Sequence, residues 1–367
     1  MSLSAKHIPA LDGVRGLAAI SVVICHYWGG KQNPHAVVRF IAEGLNFGWA
    51  GVSLFFVLSG FLISGILVDG FDKQHWWRRF YWRRSLRIFP LYYFALALAV
   101  VMAVCSFGSR WPLSSIVPYA IYFQNIYAVS ALFPRFPKDI ALSHFWSLAV
   151  EEQFYLIWPF VLVWMNRSLI SARRMCVLIW LFSFLFRVSI FWMGSRDIWA
   201  IGFLFARAGE LAMGAYLALA IRDKHMDAVI LRHARPIFIA SVFAILAVIV
   251  WSKGTDMRAF PMATVGILVN ALLFCSLIAL CLKTGMLASV FSMGWLRWIG
   301  RISYGIYVYH MLLVSQFEWI ATRLFPNLGH NAHLIVVAFV AAAGTLAVAT
   351  ISFYGFENRF LRLKSRG

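Results

Sequence analysis

The chain is poor in charge, and poorer still in acid. Only 13% of its 367 residues are charged, and Lys and Arg outnumber Asp and Glu by 33 to 14. Soluble domains run near 25% charged and about 45–50% apolar; here 62% of residues are hydrophobic. A soluble core cannot absorb that much apolar surface, so lipid is the solvent for much of the chain. No polar stretch is long enough for a separate soluble domain, and residues 1–367 read as one transmembrane unit with nothing appended. The five cysteines, Cys25, Cys105, Cys176, Cys275 and Cys281, form no CxxC. They sit in or beside apolar runs and read as small buried hydrophobes, which argues against a disulfide framework. No HxxxH or similar spacing supports a zinc site among His26, His144, His310 and Glu151, so no metal is expected. A cleavable leader is not expected either. The apolar run after Met1 continues into a segment holding Asp12 and Arg15, with no small-residue cleavage site.

The formal net charge of +19 invites a nucleic-acid reading. The pattern excludes it. The basic residues form no stripe; they lie in short clusters between apolar runs, as the positive-inside bias of membrane proteins requires. Such clusters face anionic lipid head groups.

A spanning helix needs about 20 mostly apolar residues. Ten segments qualify, near 12–28, 48–68, 88–107, 145–165, 174–193, 200–220, 236–252, 263–282, 302–320 and 334–356. The expected fold is therefore an all-α bundle of about ten transmembrane helices. A stretch near 114–130 holds Pro118, Gln124 and Asn125, and reads as a short or re-entrant helix. With the N-terminus inside, inner segments carry about 21 Lys and Arg and outer ones about 9. That asymmetry places both termini in the cytoplasm.

Several segments carry polar residues where lipid makes them costly. In the first span, Arg15 and His26 lie eleven residues apart, almost three whole turns, so they share a face roughly 16 Å apart along the axis. They are either functional, or a snorkelling arginine and a histidine bonded to a neighbouring helix. In the second, Gly51, Ser59, Gly60, Ser64 and Gly65 permit close helix approach, or else line a narrow channel. Before the third, Arg83, Arg84 and Arg87 share a helical face. They anchor the helix or clamp phosphate, which guanidinium binds bidentately. In "HFWSLAVEEQFYLIWP", His144, Ser147, Glu151 and Tyr155 stack on one face, with Glu152 about 100° round. The adjacent carboxylates suit general acid–base work, or a structural ion pair with Arg187 or Arg207. Arg207 and Glu210, three apart, suggest a local ion pair. Tyr307 and His310 in "GRISYGIYVYHMLL" line a substrate cavity or pack.

These segments, in this order from Leu11 to about Glu357, resemble the membrane acyltransferase-3 family of bacterial polysaccharide O-acyltransferases. "LDGVRGLAAISVVICH" is similar to its Arg, ten residues, His signature; "GVSLFFVLSGFLI", "RRSLRIFP", "HFWSLAVEEQFYLIWP" and "GRISYGIYVYH" are similar to its later ones. Ser53 departs from a frequent Asp, and Asn358 stands where a Pro often lies nearby. The resemblance implies an enzyme of the bacterial inner membrane that moves an acyl group, acetyl in the simplest case, from acyl-coenzyme A to a hydroxyl of a glycan or glycolipid. By position Arg15 and His26 match its signature pair, Arg84 and Arg87 its Arg-x-x-Arg, and Glu151 and Glu152 its acidic pair. His26, Glu151 and Glu152 are then the catalytic candidates, and Arg15, Arg84 and Arg87, with neighbouring Arg83, the candidates for the acetyl-coenzyme A phosphates. The remaining polar candidates, His144, Ser147, Tyr155, Arg207, Glu210, Tyr307 and His310, would meet substrate. The alternative is a glycan exporter using the same residues as a permeation path. Exporters often show internal repeats, and none is visible here.

Overall fold

A computed structural model describes residues 8–28, 36–107, 112–137, 140–194 and 201–365. Its long elements are all helices, and no strand occurs among the described residues. In chain order they are α1 (Pro9–Trp28), α2 (Ala36–Asn46), α3 (Ala50–Val68), α4 (Trp76–Phe107), α5 (Trp146–Trp164), α6 (Leu169–Trp192) and α7 (Leu204–Ala220). They continue as α8 (Asp227–Ser252), α9 (Ile267–Cys281), α10 (Gly294–Leu312), α11 (Val314–Leu324), α12 (His330–Ser352) and α13 (Asn358–Arg362). Among the described residues, seven segments are long and apolar enough to cross a membrane: Pro9–Trp28, Ile41–Val68, Trp76–Ser106, Leu169–Trp192, Asp227–Ser252, Met262–Cys281 and Ala332–Arg362. The chain is a multi-pass membrane protein.

The other three expected spans correspond to α5, α7 and α10. Helices α5 and α10 are less apolar because they carry Glu151 and Glu152, and Arg297, Arg301 and His310, whereas α7, which carries Arg207 and Glu210, is only 17 residues long. Burial shows why the fold tolerates this. Helix α7 hides most of its length, with Arg207 and Glu210 among its buried residues. By contrast α6, α8 and α12 leave most of their apolar surface uncovered, with Leu178, Phe243, Val250 and Phe339 all exposed. Polar helices sit inside and apolar ones outside, as a lipid solvent demands.

Several helices run beyond the apolar windows that mark them. The window near 88–107 belongs to a helix that starts at Trp76, so Arg83, Arg84 and Arg87 lie on the spanning helix itself. Helices α6 and α8 likewise begin earlier than expected, taking in Arg173, Arg174, Arg232 and Arg235. A helix need not stop where hydrocarbon does, because long cationic side chains reach the head groups from the next turns. The window at 302–320 is corrected more sharply. The helix there starts at Gly294 and ends at Leu312, where Leu313 (φ −105°, ψ 8°) leaves helical geometry and α11 follows. Position 200, the expected start of the sixth span, lies outside the described residues. The 114–130 stretch forms only short turns, Leu113–Ile116, Val117–Ala120 and Tyr127–Ser130. Its amides are spent on fixing it: Gln124 Nε2 donates to the Phe145 carbonyl at 2.8 Å, and Gln153 Nε2 donates to the Tyr122 carbonyl at 2.8 Å.

The small residues of α3 set close contacts. A Cβ on Gly60 would run into the backbone of Leu211, and one on Gly214 would run into that of Val57, so α3 and α7 meet backbone to backbone. Ser64 Oγ accepts from the Trp158 indole N–H at 2.7 Å, tying α3 to α5. At one end of the bundle, Arg222 pairs with Asp69 at 2.6 Å and Arg173 with Asp223 at 2.7 Å. The entry to α4, the start of α6 and the α7–α8 turn therefore share that end. At the other end, the Trp49 indole donates to the Thr255 carbonyl at 2.8 Å, and Thr255 Oγ1 donates to the Glu43 carbonyl at 2.6 Å.

Candidate active site

Helix α4 begins with a regular cationic face. Trp76, Arg79, Arg83 and Arg87 recur at three- and four-residue spacing, which keeps them on one side. They front an open vestibule of about 1450 Å³, joined by Arg15 of α1, Arg84, Lys73 and Lys364. Among the described residues, the one carboxylate lining it, Asp69, is held by Arg222 through two hydrogen bonds of 2.8 and 2.6 Å. So much positive charge against one committed carboxylate makes a site for a multiply charged anion. Lys364, just beyond the last helix, is the clearest sign of crowding. Burial, then Arg87, Arg84, Arg15 and Arg83, push its ammonium down to about 7.

Arg15, Leu62, Arg84 and Arg87 also line a second, deeper cavity of about 780 Å³. The two spaces therefore adjoin at these guanidiniums. The deeper one is lined by Ser59, Ser147, Glu151, Glu152, Tyr155, Ser303, Tyr304 and Tyr307. Ser59 Oγ donates to Glu151 Oε1 at 2.6 Å. Arg84 lies 5.5 Å from the centroid of the Tyr155 ring. Glu152 also faces the cavity, although its position 100° from Glu151 suggested otherwise; the space wraps from α5 round to α4 and α10. Its Oε1 is buried without a hydrogen-bond partner, an acceptor aimed at whatever enters.

Tyr307 closes the far end. It lines the cavity, shares a 2.5 Å hydrogen bond with Ser147 Oγ, and donates to the His144 carbonyl at 2.9 Å. Its ring is 5.5 Å from those of both His144 and His310. Beyond it lies a cluster of three histidines. His310 Nε2 is 3.2 Å from His26 Nδ1, and the His144 and His310 ring centroids are 4.8 Å apart. His310 is fully buried, whereas His26 is exposed at the α1 terminus. Among the described residues no group of His, Cys, Asp or Glu has the arrangement to hold a metal ion.

The structure therefore sorts the candidates. Arg15, Arg84, Arg87, Ser147, Glu151, Glu152, Tyr155 and Tyr307 line the deeper cavity, and Arg83 the vestibule. His26, His144 and His310 form the cluster behind it. Arg207 and Glu210 line neither space. They make the expected ion pair, at 2.8 Å and wholly buried, with Arg207 also donating to Ser53 Oγ at 3.1 Å. The Arg207 guanidinium lies over Phe56 and Trp146, at 5.3 and 5.5 Å from the ring centroids. Arg187 donates to the Ala206 carbonyl, so neither buried arginine is the partner of the Glu151–Glu152 pair. Lys73, Arg79 and Lys364 escaped sequence reasoning. The i, i+3, i+4 recurrence through Trp76, Arg79, Arg83 and Arg87 would have exposed Arg79; nothing local marks Lys364.

The model of an acyltransferase domain family matches residues 8–354. The chain is 29% identical to the peptidoglycan O-acetyltransferase OatA of Listeria monocytogenes, over 97% of this chain and 56% of that protein. It is 32% identical to YrhL of Bacillus subtilis, over 96% of this chain and 55% of that one. To the O-acetyltransferase OatA of Staphylococcus aureus it is 26% identical, over 44% of this chain and 26% of that protein. The chain spans about half the length of the first two relatives. No solved structure matches it. With a match that runs through the arginine vestibule, the carboxylate cavity and the histidine cluster alike, this chain belongs to the acyltransferase-3 family.

Proposed function

We propose that this chain is an O-acyltransferase that takes an acetyl group from cytoplasmic acetyl-coenzyme A and delivers it to a hydroxyl of a glycan, peptidoglycan being the first to try. The adjacency of the two cavities at Arg15, Arg84 and Arg87 carries this reading. A long thin ligand with phosphates at one end and a thioester at the other suits a cationic vestibule that adjoins a deeper cavity. The names of the Listeria and Staphylococcus relatives supply the acetyl group and, for Listeria, the acceptor class.

In this reading the vestibule cations hold the phosphates and the thioester arm lies along the cavity. A base takes the proton of the acceptor hydroxyl, the oxygen attacks the thioester carbonyl, the C–S bond breaks, and the thiolate leaves to be protonated as free coenzyme A. His26 is the base, at the end of the bundle where an extracytoplasmic glycan would arrive. Glu151 and Glu152 hold or pass protons in the cavity. Tyr307 and Ser147, bonded to each other, form the partition that must part for the acyl group to reach the histidines. An exporter would give a different result with labelled acetyl-coenzyme A and a panel of glycans, muropeptides included. The transferase releases coenzyme A and labels a glycan; an exporter does neither.

The same proposal places ten helices across the bacterial inner membrane, with both termini in the cytoplasm. The ion pairs Arg222–Asp69 and Arg173–Asp223 support it, because they join segments assigned to the inner side by charge alone. A cysteine at Gln74 should be labelled by impermeant reagent only from the cytoplasmic side, and one at Asp256 only from outside. Labelling of both from one side would refute the arrangement.

Lys364 gives a pH test of the vestibule. An ammonium held near 7 is mostly neutral at pH 8, and a bound phosphate favours its charged form. Binding above pH 7 must then take up a proton, so coenzyme A affinity falls as pH rises from 7 to 9. Lys364→Gln should bind more weakly at pH 6 and show a flatter pH dependence above 7. Calorimetry on both proteins checks this, and their difference cancels the ligand's own ionisation.

A further inference from the structure

The hydrogen bonds of the histidine cluster determine which nitrogen of each ring carries its proton. His310 Nδ1 lies 2.7 Å from the Tyr307 carbonyl oxygen. A carbonyl only accepts, so this nitrogen is protonated, and in the neutral ring Nε2 offers a lone pair. That lone pair meets His26 Nδ1 at 3.2 Å. His26 Nδ1 also lies 3.0 Å from the Val22 carbonyl oxygen, a second acceptor. With acceptors on both sides, His26 Nδ1 must carry the proton. The reverse arrangement, with His310 protonated at Nε2, would need a lone pair on His26 Nδ1 and would set it against the Val22 oxygen.

We infer that His310 is a positioning residue: with Val22 it holds His26 as the Nδ1–H tautomer, so that Nε2 is the nitrogen that takes the acceptor's proton. His310 does for His26 what the carboxylate does for the histidine of a catalytic triad, orienting the ring and stabilising the imidazolium that forms. It does so without a negative charge, which the interior of a membrane protein would tolerate poorly. The Val22 carbonyl belongs to the same helix and moves with His26. His310 is the anchor from outside it, 284 residues away in sequence. That anchor is itself pinned. Tyr27 Oη donates to the His310 carbonyl at 2.5 Å and bonds Thr345 Oγ1 at 2.8 Å, linking α1, α10 and α12. His144 completes the cluster without competing. Its Nε2 donates to the Val308 carbonyl at 3.2 Å, leaving the lone pair on Nδ1.

The inference rests on His26 being the base, and the test separates the two. Protein labelled with ¹⁵N-histidine, in nanodiscs, gives nitrogen shifts that distinguish protonated from unprotonated ring nitrogens. Subtracting the His26→Ala spectrum isolates His26. The expected result is protonated Nδ1 and unprotonated Nε2 in the unmodified protein. Finding His26 chiefly as the Nε2–H form overturns the proposal without any variant of position 310 having to fold. In turnover, His310→Ala should lower kcat by about 10- to 100-fold, the scale on which an orienting partner acts on a histidine, with KM for acetyl-coenzyme A unchanged. His310→Gln, whose amide oxygen can still accept from Nδ1–H, should recover most of that loss. A glutamine variant no better than the alanine one counts against positioning. If His26→Ala turns over normally while the tautomer is as expected, the assignment of His26 as base fails and the hydrogen-bond assignment survives.

Discussion

Replacing His26 by alanine is expected to reduce acetyl transfer by about 10²–10⁴-fold, the contribution of a well-placed general base, and to leave coenzyme A binding intact. The side chain is exposed, so its loss opens no core cavity. Its ring bonds His310 at 3.2 Å across helices, and α1 remains fixed along its length against α3 and α10. Insertion and folding should therefore survive. In the proposed orientation coenzyme A would meet the opposite end of α1, where Arg15 lines both cavities. The defect should appear in kcat with donor affinity unchanged, which marks an interaction needed in the transition state. Single-turnover transfer from labelled acetyl-coenzyme A, alongside a binding titration, checks both halves. Normal turnover by the variant would remove His26 from the mechanism.

What the sequence revealed and what it hid follow from the same physics. Helices that touch lipid must be apolar along their whole exposed surface, so their windows are plain. Helices α5, α7 and α10 were legible too, although Glu151 and Glu152, Arg207 and Glu210, and Arg297, Arg301 and His310 interrupt their windows. The Arg15–His26 pair was legible because both lie on one helix, where spacing converts directly to geometry. Ser59 was not. Its place in a glycine-rich helix fitted close packing or a channel wall alike, and only the arrival of α5 turns its hydroxyl into the partner of Glu151. Lys364, and the partner of His310 though not His310 itself, were hidden for a related reason. Each acquires its role by meeting a residue hundreds of positions away, and one sequence does not say which helices are neighbours. The end of helix α10 was misjudged for want of a marker, since no glycine or proline stands at Leu313.

The vestibule should fail differently from the histidine cluster. Arg15→Ala, Arg84→Ala and Arg87→Ala are each expected to weaken coenzyme A binding by about 1–3 kcal/mol, the value of a hydrogen bond to a charged group. Arg84 and Arg87 should be the more severe, because Arg15 already spends part of its charge on Asp12 at 3.3 Å. Relief of crowding works the other way. Removing one guanidinium lessens repulsion on the rest, so the empty protein should not lose stability, and the double variant should lose less affinity than the two single losses combined. Exposed cations are screened by salt, so the surviving affinity should fall further as ionic strength rises. Turnover at saturating acetyl-coenzyme A should remain within several-fold of the unmodified protein. Calorimetric or thermal-shift titration of coenzyme A across these variants and His26→Ala decides the matter. If His26→Ala loses coenzyme A binding while the arginine variants keep it, the proposed direction of the donor through the bundle is wrong.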